Sequence, residues 1–186
     1  MTTGNLTIKQ AVQSFYDQNN FADDGGVSEK YAWIKFGAFS IPIPNVESRR
    51  NNVYLHDINH ILTGNDTNWK GESAVSAWEI AAGGWKKFYI PWLLTLWAMG
   101  LGVFFYPKNT ISWFKKGLSM RNALTCGLTK LTIQSLTVSD MQGRISNYPK
   151  SNKSVLAWIL ISASIFFIPF LLAMVLISTT IFLLIK

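Results

Sequence analysis

Apolar residues recur along this chain in two rhythms, helical and extended, and two further stretches are apolar without any rhythm. Ile8, Ala11, Val12 and Phe15 keep the i, i+3, i+4, i+7 spacing of one helix face, which predicts a short amphipathic helix over Ile8–Tyr16. Asp23-Asp24-Gly25-Gly26 reads as a turn. The aromatic stretch Tyr31–Phe39 and the segment Ile41-Pro42-Ile43-Pro44 read as extended, because the alternating prolines exclude a helix interior. A helix is expected from Glu47 or Ser48 to about Leu62, stopped at Gly64. A second is expected from about Lys70 to Ala82, stopped at Gly83-Gly84. The short polar turn Asn65–Trp69 between them makes an antiparallel helix hairpin. Residues 110–125 read as a basic amphipathic helix.

The first unpatterned stretch is Ser154–Ile185, 32 residues without a charge. About 20 apolar helical residues cross the roughly 30 Å hydrocarbon core of a bilayer. A small protein cannot cover so long an all-round apolar helix, so this run reads as a membrane anchor, with Pro169 placed to kink it. The second is Phe88–Pro107, 20 residues that barely reach a span and read as a span, a buried helix or a half-inserted one. The expected fold class is therefore mainly α: a helical protein with a helix hairpin and one or two membrane-inserted helices. Residues 1–150 would form the helical domain and 151–186 the C-terminal transmembrane anchor. The polar N-terminus has no apolar core segment, so no cleavable signal peptide is expected.

Charge adds an orientation. Charged residues make up only 15% of the chain, against about 25% in soluble domains. Residues 1–85 carry 6 basic and 9 acidic residues, whereas residues 86–186 carry 11 basic and 1 acidic. The basic excess between the two apolar runs, from Lys108 to Lys153, places that segment in the cytoplasm by the positive-inside rule and suits anionic head groups. Nothing in it points to nucleic acid. Cys126 is the only cysteine, which excludes an intrachain disulfide and a cysteine-rich metal site. His56 and His60 are the only histidines, which excludes three-histidine zinc centres and multi-histidine di-iron membrane oxygenases.

Those two histidines are four residues apart, so on a helix they share one face and can share one metal ion. Asp57 points about 100° away and reaches the same ion only at the margin of that face. Glu72 and Glu79, seven apart, share a face of the second expected helix. Counting about 1.5 Å per residue from the turn brings Glu72 level with His60, and Glu79 level with His56 or slightly past it. Two imidazoles and carboxylates suit zinc or another first-row divalent ion, iron and manganese included. Glu79 is the candidate catalytic residue as a base, or else a fourth ligand or a partner that orients a histidine.

His56-Asp57-Ile58-Asn59-His60-Ile61-Leu62-Thr63-Gly64 followed by Gly71-Glu72 reads as HDxxH, eleven residues, Glu. This resembles the signature of the ubiquinone (coenzyme Q) biosynthesis protein four family, and the stretch from Trp113 to Leu124 resembles that family's basic helix more loosely. The likeness covers roughly residues 28–145 and is strongest over 47–84; the apolar run 154–185 lies outside the family pattern. The resemblance implies a helical, membrane-associated protein with a zinc-type site whose ligands are His56, Asp57, His60 and Glu72. It implies a role in quinone biosynthesis, either in removing the ring carboxylate of a prenylated intermediate with oxidation at the same carbon or in organising the biosynthetic machinery. Its partners would be a prenylated quinone precursor or other isoprenoid lipid, the membrane, and other quinone-biosynthesis proteins or a second copy. Its place would be the bacterial inner membrane, with the metal domain on the cytoplasmic side. That fold favours Phe88–Pro107 as an in-plane or buried helix, whose Trp92, Trp97, Phe104 and Phe105 would line a route for the prenyl tail or anchor the interface. Two competing functions are a metallohydrolase, with Asp57 one methylene shorter than the zincin glutamate, and a non-catalytic lipid-binding scaffold.

Overall fold

The computed structural model describes residues 3–36 and 39–185. Residues 37 and 38, within the expected extended stretch, and Lys186, the charge that closes the apolar run, lie outside the described residues. The chain is mainly helical. Helix α1 (Ile8–Asn19) starts at a capping box: the Thr7 hydroxyl accepts from the Gln10 N–H, and the Gln10 side chain accepts from the Thr7 N–H. Strands β1 (Tyr31–Phe36) and β2 (Phe39–Pro44) form an antiparallel ribbon with Tyr31 opposite Pro44 and Trp33 opposite Pro42. Prolines are tolerated there because each strand of a two-stranded ribbon is an edge.

Helices α2 (Glu47–Thr63) and α3 (Trp69–Ala81) are the expected hairpin. Gly64 ends α2 in the left-handed conformation (φ 66°), its N–H returning to the His60 carbonyl, and the Asn68 side chain caps α3 by accepting from the Gly71 N–H. The second apolar run is α4 (Tyr89–Phe105). The basic helix expected over 110–125 is instead α5 (Pro107–Gly117). It starts earlier because Pro107 suits a first helical position, and it ends at Gly117; further on, the Asn122 side chain shapes the loop by accepting from the Leu124 and Thr125 N–H groups. Two short helices without a counterpart in the sequence reading, α6 (Lys130–Ser135) and α7 (Val138–Ile145), are capped by Thr129 and Thr137. Helix α8 (Val155–Ile185) carries Pro169 in its interior.

Two apolar clusters organise these elements. Ile8, Val12, Tyr16, Ile58, Trp78, Ile133, Met141 and Ile145 join α1, α2, α3, α6 and α7. Ala77, Ile80, Met99, Phe114 and Leu118 join α3 to α4 and α5. Each fully buried large side chain contributes roughly 1.5–3 kcal/mol.

α4 lies between α3 and α8, and two glycines permit both approaches. A side chain at Gly102 would run into Ser73 of α3, and one at Gly100 into the Ser162 carbonyl of α8. Gly84 meeting Trp92 while Gly102 meets Ser73 makes α4 antiparallel to α3. Trp92 stacks on Trp158, and Phe104 meets Phe167, so α4 and α8 run in the same direction. The expected division near residue 150 falls in the connection before α8, whose first part packs against α4.

Candidate metal centre

The hairpin brings His56 and His60 of α2 against Glu72 and Glu79 of α3. His60 Nδ1 lies 3.0 Å from the Asn65 carbonyl oxygen, which can only accept, so this nitrogen carries the proton. His56 Nδ1 lies 2.8 Å from Glu79 Oε1 and donates to that carboxylate. Both rings therefore turn Nε2 inward, and these two nitrogens face each other 3.2 Å apart. Glu72 closes the group, with Oε2 3.3 Å from His56 Nε2 and Oε1 3.5 Å from His60 Nε2. Two ring nitrogens and a carboxylate converging on one spot need positive charge there, from a cation or from protons on the rings. Tetrahedral zinc at about 2.0–2.2 Å from each ligand demands ligand atoms roughly 3.3–3.5 Å apart; one ligand atom from each of the three residues lies within 4.8 Å of the others, so a small closing movement of Glu72 completes the set. His56, His60 and Glu72 could hold a metal ion.

Proton affinities follow the same geometry. Burial pushes the His56 pKa down, but Glu79 and Glu72 overcome that and hold it well above the ordinary value. His60 is also raised, burial being outweighed by Glu72. Burial pushes Glu72 up, but His60 and His56 hold it well below the usual carboxylate range. Without metal, protons on the imidazoles supply the positive charge the cluster needs.

Glu79 stands behind the cluster, fully buried. Its Oε1 also accepts from Asn59 Nδ2 at 2.7 Å, while Oε2 has no protein partner. A carboxylate on the far nitrogen of a metal-facing histidine fixes the ring's tautomer and orientation. Asp57 is not brought to the cluster. The Tyr16 hydroxyl donates to its Oδ2 at 2.9 Å, and burial pushes its pKa up to about 6. The margin position read from the helix angle becomes a separate, buried pair with α1.

Several participants escaped the sequence. Asn59 bonds Glu79 with its amide and accepts from the Ala123 N–H with its oxygen. Asn122 donates to the carbonyls of Glu79 and Gly84, which ties the loop after α5 to the end of α3. The only signal for Asn59 was a polar residue three positions from His56, on a helix side that should be apolar. Asn122 had none, since its partners lie about forty positions away. The ring of Trp85 approaches His56 and that of Phe15 approaches His60. A cleft of about 240 Å³ between α1 and the α2–α3 turn, lined by Phe15, Gln18, His60 and Asn65, reaches the outer side of the His60 ring.

These features define a class: a helical protein with a two-histidine, one-carboxylate cluster and, among the described residues, one helix long and apolar enough to cross a membrane by length and composition. No family model, curated protein or solved structure matches the chain.

Proposed function

We propose that this chain is a membrane-anchored metalloprotein that holds one divalent cation, zinc foremost, on His56, His60 and Glu72. The observation that carries this reading is the convergence of the two inward-facing Nε2 atoms on Glu72, with each Nδ1 engaged on the outer side by Glu79 or the Asn65 carbonyl. The motif HDxxH-x11-Glu supports a place in ubiquinone or related quinone biosynthesis, with a carboxylated, prenylated phenol as substrate. When bound, the ion supplies Lewis-acid polarisation of an oxyanion such as the ring carboxylate. The chain's own residues do the rest. Glu79 holds the His56 ring in place and keeps a proton on its Nδ1, and Trp85 and Phe15 shield the imidazoles from water. Arg49, its pKa lowered by burial against the pull of Asp57 and Glu72, remains a cation available to an anionic head group.

The hydrolase alternative is less favoured: Asp57 is bonded by Tyr16, and Glu79 Oε1 is engaged by His56 and Asn59, which leaves only the fully buried Glu79 Oε2 as a base. The scaffold alternative is separated by assay. Full-length protein in detergent should carry close to one ion per chain by elemental analysis, and should release carbon dioxide from a carboxylated prenylated phenol. Metal without turnover leaves a structural centre, and absence of metal after loading overturns the whole reading.

A further inference from the structure

The described part of α8 divides at Phe166. Up to that residue the helix has α4 against it: Trp158 stacks on Trp92, and Phe166 packs on Trp97 and Phe104. From Phe167 to Ile185 every residue is exposed. Those 19 residues are about 28 Å long at 1.5 Å per residue, which matches the roughly 30 Å hydrocarbon core. The whole helix, at about 46 Å, is longer than that core needs.

α4 stops at the same level. Phe104 lies against Phe167, ring centroids 5.9 Å apart, and Phe105 against Phe104 at 5.1 Å. Both are well exposed, at 62% and 59%, although they have the sequence of a buried run. The chain turns there, and Lys70, Tyr106, Pro107, Lys108 and Asn109 line a shallow groove that includes two lysines. Asn109 Nδ2 donates to the Lys70 carbonyl, fastening the start of α3 to this corner. At the opposite end of the bundle, Lys153 reaches the Ile80 and Ala81 carbonyls at the end of α3, so the α8 start is pinned away from the corner.

We infer that the α4–α5 corner is a second membrane contact, docked on an anionic bilayer surface at the level where α8 enters it. Phe104 and Phe105 enter the interface, Tyr106 sits at head-group depth, and Lys70 and Lys108 meet lipid phosphates. Aromatic side chains favour that layer, and lysines near an anionic leaflet gain about 1 kcal/mol each. The inference rests on α8 being a span, not on the metal. Its consequence concerns the site: Glu72 is two residues beyond Lys70 and next to Ser73, which packs at Gly102. The metal cluster thus has its Glu72 side within about one to two helical turns of the lipid boundary, so an amphiphile could present its head while its tail stays in the bilayer.

Spin labels test this in the full chain carrying Cys126→Ser, reconstituted in vesicles of phosphatidylcholine with one-quarter phosphatidylglycerol. Labels go singly at positions 105, 156 and 176. Collision with oxygen against a nickel chelate should place the label at 176 deepest. The label at 105 should lie about 13 Å shallower, the rise of the nine residues separating 176 from 167, and that at 156 in water. Lys70→Glu with Lys108→Glu should move the label at 105 outward in these vesicles and leave it unmoved in pure phosphatidylcholine. A deep label at 176 with an aqueous label at 105 overturns the docking while sparing the span. A label at 156 in the acyl region overturns the register. All three labels in water overturn the span itself.

Discussion

The α2–α3 hairpin and the α4–α8 pair break the ordinary inside–outside rule in opposite senses. In the hairpin the interior is polar: Asn52, Asp57, Asn59, His60, Ser73, Ser76 and Glu79 are all buried. In the α4–α8 pair the exterior is apolar: Phe104, Phe105 and the α8 residues from Phe167 onward are exposed. A buried polar group costs free energy unless it is paired, and a large exposed apolar face costs it unless it is covered. In the hairpin most of these groups are paired within the chain, and what is left calling for positive charge is the His56–His60–Glu72 cluster. For the helix pair the missing partner is a hydrocarbon phase.

Removing the hairpin's ligands is the strongest way to break this contrast. Glu72→Gln replaces a half-exposed carboxylate by a poor ligand and should lower zinc affinity by about two orders of magnitude or more, measured by competition with a chromophoric chelator. His60→Ala should leave no stoichiometric metal. Because His60 is buried, circular dichroism must show retained helix before that loss is attributed to the site. Glu79→Gln is subtler. The amide still accepts from His56 Nδ1 but no longer carries charge, and affinity should fall about 10–100-fold with one ion still bound at saturation. A loss as complete as that of His60→Ala would make Glu79 a ligand.

The apolar side breaks at a glycine. Gly100→Leu drives a branched side chain into the Ser162 carbonyl and should separate α4 from α8. The expected cost is about 1–3 kcal/mol, read as a lowered melting temperature of the protein in detergent, with metal stoichiometry unchanged. If metal and packing fell together, the two regions would be one cooperative unit.

These two regions also differ in how far they could be read beforehand. Ser154–Ile185 announced itself by composition, and the hairpin by Gly64, Gly83-Gly84 and two glutamates seven positions apart. Convergence of His56, His60 and Glu72 followed from helix periodicity and one short turn, both local quantities. What stayed hidden depends on distant pairing. Tyr16 reaches Asp57 across 41 positions, Asn122 reaches Glu79 across 43, and α6 and α7 hold their places through apolar contacts with α1 and α2. No spacing rule encodes such contacts.

Acidity sharpens the contrast further. A histidine whose folded pKa is raised gives stability that is fully present below its unfolded value near 6.5 and is lost as pH climbs through the folded value. The metal-free protein should therefore lose this part of its stability as pH rises above the unfolded value and through the raised folded values. Metal needs the imidazoles deprotonated, so its stabilisation should grow over the same interval. The gap in melting temperature between zinc-loaded and chelator-treated protein should widen steadily with pH. A gap independent of pH would place the ion elsewhere than on His56 and His60.

The smallest expected effect on metal belongs to Asp57, and it decides between two uses of the same motif. By resemblance Asp57 is a ligand beside His56. In the structure its Oδ2 accepts from Tyr16 of α1. A ligand carboxylate turned into an amide should cost at least 10-fold in zinc affinity, whereas a carboxylate occupied with Tyr16 should cost less than about 3-fold. Asp57→Asn keeps the hydrogen bond acceptor and the volume, so folding does not confuse the comparison. A second readout is independent of metal. The folded pKa of Asp57, raised to about 6 by burial, means that its contribution is fully present below about 3.9 and is lost as pH rises through 6. Metal-free Asp57→Asn should thus melt a few degrees above the wild type at about pH 8 and converge with it near about pH 4. A variant that loses zinc and shows no such convergence would return Asp57 to the metal and leave Tyr16 as the hydroxyl that orients it.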